Sequence, residues 1–175
     1  QRQMCIRDSL EMILKIKIRK VVYPQSQKSI DLSANAKAIR LDVYVEDDQN
    51  TVFNLEMQTS DNRNLPKRMR YYQGVIDLNI LQKGQDYTKL KKSYVIFICT
   101  FDPFGEGRHI YTFCNTCQEN TALTLDDDAV KIILSTKGTM DDVSPEMKRI
   151  LDYIDGKGAS DKFCLLYTSD AADEE

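Results

Sequence analysis

An α/β domain, a mixed β-sheet with helices packed on it, is predicted by three stretches of the chain. Residues 38–59 alternate apolar and polar side chains in two runs around a polar break, the pattern of an antiparallel strand pair. Leu65, Met69, Tyr72, Ile76 and Ile80 recur at helical spacing and make one apolar stripe. Residues 94–99, Tyr-Val-Ile-Phe-Ile-Cys, are continuously apolar, as in a strand buried on both faces. A buried strand beside the hairpin, with a helix crossing between them, gives a mixed sheet.

The chain has 175 residues, of which 42% are apolar, enough for one domain with a sizeable core. No run of 18 apolar residues and no cleavable leader is visible, so a soluble, cytoplasmic protein with no membrane partner is expected. The net charge is −3, but the ends distort it. Residues 1–9, QRQMCIRDS, and 164–175, CLLYTSDAADEE, resemble translated adapter sequence and are set aside. The domain is then expected over residues 10–163, truncated at both ends, with 22 basic and 22 acidic residues.

From the start of that domain, a short helical remnant is expected to about Ile13. A strand is expected over 15–22, where Ile and Lys alternate, with helix throughout as the competing reading. Pro24 is expected to end either element, and 24–37 reads as a polar, turn-rich surface connection. In the hairpin, Leu41, Val43 and Val45 must share a core face with Met57, Leu55 and Phe53, so pairing centres on Gln49. That register sets Asp42 opposite Glu56 and Arg40 opposite Gln58; a slip by one residue would turn every apolar side chain outward. Asn50 suits the left-handed position of a short loop.

Directly opposed β-carbons lie about 5 Å apart, so two facing carboxylates repel unless something positive lies between them. A divalent cation such as magnesium, which takes oxygen ligands and assists phosphodiester cleavage, is one answer, with Gln58 on the same face to orient the attacking water. The other is an ordinary strand pair with one face in solvent.

After the hairpin, residues 60–64 form a polar loop with a capping residue, and Pro66 suits the first turn of a helix running to about Leu81. Lys67, Arg70, Gln73 and Asp77 fall off its apolar stripe, while Arg68 stands one turn from Tyr72. Arg68 and Arg70 either bind phosphate, which Arg does bidentately, or are solvated and ion-paired. Gly84 is expected to close the helix. Asp102 reads as a turn former before Pro103, residues 108–113 and 130–134 as strands, and Asp126-Asp127-Asp128 as a polar turn lacking the spacing of a calcium loop. Ser144 and Pro145 open a last helix whose apolar side is Met147, Ile150, Leu151 and Ile154. Cys99 belongs to the core. Cys114 and Cys117 make a lone C-x-x-C with no second pair, and His109 is the only histidine, which leaves metal–carboxylate chemistry as the catalytic option.

The segments RLDVYVED, FNLEMQ, LPKRMRYYQGVIDLNILQKGQDY, YVIFICTFDPFG and YTF, in this order, resemble the PD-(D/E)xK nucleases associated with transposases, the recombination-promoting nuclease group. The resemblance implies a restriction-endonuclease-like fold, a mixed β-sheet flanked by helices, and magnesium-dependent DNA cleavage, with manganese as the substitute ion. It gives Asp42 and Glu56 the roles of catalytic acids and metal ligands, and puts Gln58 where most of the superfamily has Lys. Arg68 and Arg70 match a basic-aromatic run, and together with Arg40 they are expected to contact DNA. DNA is the expected partner, no small-molecule cofactor is expected, and a homodimer is left open. The alternative is a catalytically degraded nuclease fold that binds DNA or protein without cutting.

Overall fold

The computed structural model describes the backbone of residues 2–30 and 39–157, and side chains over 7–21 and 44–157. In chain order the elements are α1 (Arg2–Leu14), β1 (Val21–Ile30), β2 (Ile39–Asp47), β3 (Val52–Gln58), α2 (Leu65–Ile80), β4 (Ser93–Cys99), β5 (Ile110–Phe113), β6 (Ala129–Ser135) and α3 (Pro145–Ile154). The strands form one six-stranded sheet in the order β1-β2-β3-β4-β6-β5. Pairs β3·β4 and β4·β6 are parallel; β1·β2, β2·β3 and β5·β6 are antiparallel. The fold is thus the mixed α/β sheet expected, and β3, α2 and β4 make the parallel crossover that such a sheet requires.

The hairpin pairs Val43 with Leu55, Tyr44 with Asn54, Val45 with Phe53 and Glu46 with Val52, a register centred on Gln49. The paired ladder ends at Val43 and Leu55, one residue short of the Asp42–Glu56 pair expected from the alternation. Asn50 takes the left-handed conformation, φ 62°. Asp47 pins the turn: its Oδ1 accepts from the amides of Gln49 and Thr51.

Both faces of the sheet are covered. On one, α2 lays Leu65, Met69, Tyr72, Val75 and Ile76 over Tyr44, Val52, Val95, Phe97 and Ile133. On the other, Leu10 and Ile13 of α1 and Met147 and Leu151 of α3 pack with Val45, Phe53, Leu55, Ile96, Ile98, Ile132 and Leu134. Side chains such as Phe97 and Ile96, both fully buried, each contribute about 1.5–3 kcal/mol. The hairpin face that alternation left open to solvent is therefore interior: Tyr44, Asn54 and Glu56 are all buried.

The structure corrects several expectations. The first helix runs back to Arg2 and ends at Leu14, where Lys15 turns to φ 54°, and no strand covers 15–20. The strand instead begins at Val21 and passes through Pro24, which pairs with Val45. β1 is an edge strand, and an edge tolerates a residue without an N–H because half its ladder has no partner. The surface connection expected over 24–37 is thus strand to Ile30, and 31–38 lie outside the described residues. Asn64 precedes α2 without a side-chain capping bond, and α2 ends at Ile80, with Gly84 in the turn that follows. Gln73, expected off the apolar stripe, is buried, its Nε2 donating to Ser93 Oγ at 2.6 Å and to Asp77 Oδ1 at 3.2 Å. Ser144 caps α3 as expected, accepting from the Met147 amide. Among the described residues no helix is long and apolar enough to cross a membrane.

Candidate active site

Strand alternation aims Val52, Asn54, Glu56 and Gln58 of β3 at α2. Along this row the surroundings change from dry core to rim: Asn54 and Glu56 are buried, Gln58 is half-buried, and Thr59 beyond it is exposed. A carboxylate as enclosed as Glu56, 2% exposed, is costly unless other groups or a cation engage it. In the parallel ladder Glu56 lies beside Phe97 and Gln58 beside Cys99, so the acid faces the middle of the sheet's carboxyl end. Openings at the carboxyl ends of parallel strands are where α/β sheets bind ligands.

Arg68 reaches this spot from the first turns of α2. Its Nη1 donates to Gln58 Oε1 at 2.5 Å, and Nη2 and Nε donate to the Tyr72 hydroxyl at 2.9 and 3.2 Å. The guanidinium carbon stands 5.3 Å from the Tyr72 ring centroid and 5.5 Å from that of Phe97, the ladder neighbour of Glu56. Such cation–π contacts hold Arg68 over the same patch of sheet. Gln58 is fixed at its other end too, Nε2 donating to the Ser60 carbonyl at 2.7 Å. The thiol of Cys99 is pushed up to about 12, by burial first and by the charge of Asp61 second, so it is a neutral packing group here.

Of the residues singled out from sequence, Glu56, Gln58 and Arg68 come together on one face of the sheet. Asp42 and Arg40 lie on β2, with Arg40 paired to Ser29 of β1; their side chains lie outside the described residues. Arg70 does not join the cluster: two residues further on, it is turned by about 200° around α2 and exposed. Tyr72 and Phe97, the platform under Arg68, were not singled out as site residues. The Arg68–Tyr72 spacing was a signal for the first, whereas nothing local marks Phe97 as anything but core.

Other chemistry-bearing groups are elsewhere. His109 is buried against Asp142, Nδ1 to Oδ1 at 2.7 Å, and its backbone amide also donates to that carboxylate. Asp102 accepts from the amides of Phe104 and Gly107 and from Tyr111, as a turn former should. Asp126 and Asp128 have positive φ in their turn, Cys114 is exposed, and Cys117 donates to Glu119. Among the described residues no group of three or more His, Cys, Asp or Glu side chains is gathered as for a metal ion.

The buried acid Glu56 thus shares its strand face with Gln58, which holds Arg68. The model of the PD-(D/E)XK nuclease family transposases matches residues 5–134 of the 175. The chain belongs to this family. Its mixed sheet with helices on both faces is consistent with the restriction-endonuclease-like fold of PD-(D/E)XK nucleases. Searches of curated proteins and of solved structures find no match. In this nuclease the tripeptide of β3 is Glu56-Met57-Gln58, so an amide stands where the family's name has Lys.

Proposed function

We propose that this nuclease is a metal-dependent DNA endonuclease of the transposase-associated, recombination-promoting type, hydrolysing phosphodiester bonds with Asp42 and Glu56 as its acids. The observation that carries the reading is the placement of Glu56: a buried carboxylate on the second strand of the hairpin, on the same strand face as Gln58, which accepts from Arg68.

The donor chemistry fits a hard cation. Two carboxylates from neighbouring strands offer oxygen ligands of the kind magnesium and manganese accept, and a cation relieves the repulsion between them. A bound ion held by Asp42 and Glu56 supplies an activated water and charge neutralisation at the phosphate. The chain's own residues do the rest. The dry surroundings of Glu56 strengthen every charge interaction there. Gln58 presents a neutral amide at the rim, and Arg68 presents a cation that can grip phosphate oxygens. Arg40, on β2, and Arg70, on another face of α2, are further contacts to the DNA backbone.

The test is a plasmid-nicking assay with and without magnesium. Wild-type protein is expected to nick only with the ion, and Glu56→Ala and Asp42→Ala are each expected to abolish nicking. Undiminished cutting by Glu56→Ala would exclude the assignment. A second reading, a nuclease fold that binds DNA or protein without cutting, is favoured by the amide at Gln58. It predicts that magnesium binding, followed by calorimetry, is absent and unaffected by Asp42→Ala.

A further inference from the structure

We propose that Arg68 is the catalytic cation of this site, and that Gln58 is a positioning residue that holds Arg68 rather than the group that orients water. The inference rests on the nuclease reading above and assigns the two roles within it.

Cleavage of a phosphodiester builds negative charge on oxygens around phosphorus, and donors fixed in place beforehand stabilise it most. Strand β3 supplies no cation: its tripeptide offers a carboxylate, a thioether and an amide. Several of the other described basic side chains are committed or remote. Lys91 pairs with Glu46 at the opposite end of β3, Lys137 pairs with Asp155, and Lys67 and Arg70 are exposed on other faces of α2. Arg68 alone among the described basic side chains is bonded to the row that contains Glu56.

Its geometry is that of a preset phosphate fork. A guanidinium carries five N–H donors. Three are used, by the Tyr72 hydroxyl twice and by Gln58 once, which leaves one N–H on each terminal nitrogen. Two such donors on one planar group match two phosphate oxygens. The described partners of Arg68 are an amide oxygen, a phenol and two ring faces, all neutral, so its charge is retained for a ligand.

The amide explains itself in the same terms. The Gln58 oxygen is occupied by Arg68, and the bond from Nε2 to the Ser60 carbonyl fixes which way the amide points. An ammonium at position 58 would stand against the guanidinium and repel it. The absent lysine and the present arginine are therefore one arrangement: the charge has moved from the strand to the helix, and the strand keeps an acceptor to hold it.

The experiment uses the full chain. Cleavage of a short DNA duplex with magnesium is measured for wild type, Arg68→Lys, Arg68→Gln, Gln58→Leu and the double variant Arg68→Gln/Gln58→Lys. Duplex binding is titrated against salt in EDTA for each. Arg68→Gln is expected to lower kcat by about 10²-fold with a smaller change in KM. Its salt slope without metal is expected to fall by about 1. Gln58→Leu is expected to lower kcat less, and Arg68→Lys to keep part of the activity. The double variant decides between charge and packing: lysine returned to the strand is expected to restore kcat at least tenfold over Arg68→Gln. A double variant no better than Arg68→Gln, or a salt slope unchanged by Arg68→Gln, overturns the proposal. Wild type that does not cut with magnesium would sink the nuclease reading instead, and the salt slope would still report whether Arg68 meets phosphate.

Discussion

At the scale of single residues, two polar side chains are at odds with stability in opposite ways. Asn54 is fully buried on the Glu56 row, and neither its oxygen nor its nitrogen has a hydrogen-bond partner. Leaving a buried amide unpaired costs about 1–3 kcal/mol. Asn54→Leu, close in shape and without polar atoms, is expected to raise stability by about 1 kcal/mol in urea unfolding; a fall would reveal an ordered water bonded to the amide. Asp155 is the reverse, held far below the usual carboxylate range by hydrogen bonds from Lys137 first and Lys157 next, against the opposing effect of burial. Its folded-state proton affinity is lower than in the unfolded chain, so its contribution is present above about pH 4 and is lost as pH falls further. Asp155→Asn is therefore expected to lower the melting temperature at pH 7, with a difference from wild type that shrinks as the pH is taken to 3.

Among elements, α3 and β5 are joined by a clasp that no local pattern announced. Asp142, in the loop before α3, accepts from the ring and backbone amide of His109, just ahead of β5, and the His109 carbonyl accepts from Ser135 of β6. Burial would raise Asp142, but His109 and the neighbouring amide hold it below the normal value. Gly138 lies flat on this imidazole: a β-carbon there would sit 2.4 Å from His109 Cγ and 2.7 Å from the His109 backbone nitrogen. Because one obstacle is backbone, the crowding cannot be relieved by rotating a side chain. Gly138→Ala is expected to destabilise the fold by about 1–3 kcal/mol, read as a lower melting temperature. The proposed nicking activity, assigned to residues of β2, β3 and α2, is expected to persist in this variant.

The helix α2 shows how far element-level reading goes. Leu65, Met69, Tyr72 and Ile76 were legible as its buried stripe because a 3.6-residue period is a local property of sequence. Gln73 was not, because its place inside depends on Ser93, twenty residues away, waiting with a hydroxyl. The same holds for Arg68 and Gln58, separated by ten residues and a loop, whose bond depends on how α2 leaves the end of β3.

Over the whole molecule, the sheet order gathers the catalytic candidates at one end. β3, β4 and β6 run parallel and deliver Gln58, Cys99 and Ser135 to the same edge, while antiparallel β2 begins there with Arg40 and Asp42. The hairpin register followed from sequence because only one pairing keeps Val45, Phe53 and Leu55 on a common core face. Pro24 within β1 did not, since proline breaks an interior strand and is harmless only at an edge, and edge position is a matter of the whole sheet. The sequence by itself determined the α/β class, the hairpin register, the α2 stripe and the buried β4, all features written in spacings of two to four residues or in a continuous apolar run. Tertiary structure alone decided that the Glu56 face is interior, that Gln58 is tied to Arg68, and that Arg70 looks away. These depend on which surface covers which, a relation between distant segments that no local period encodes.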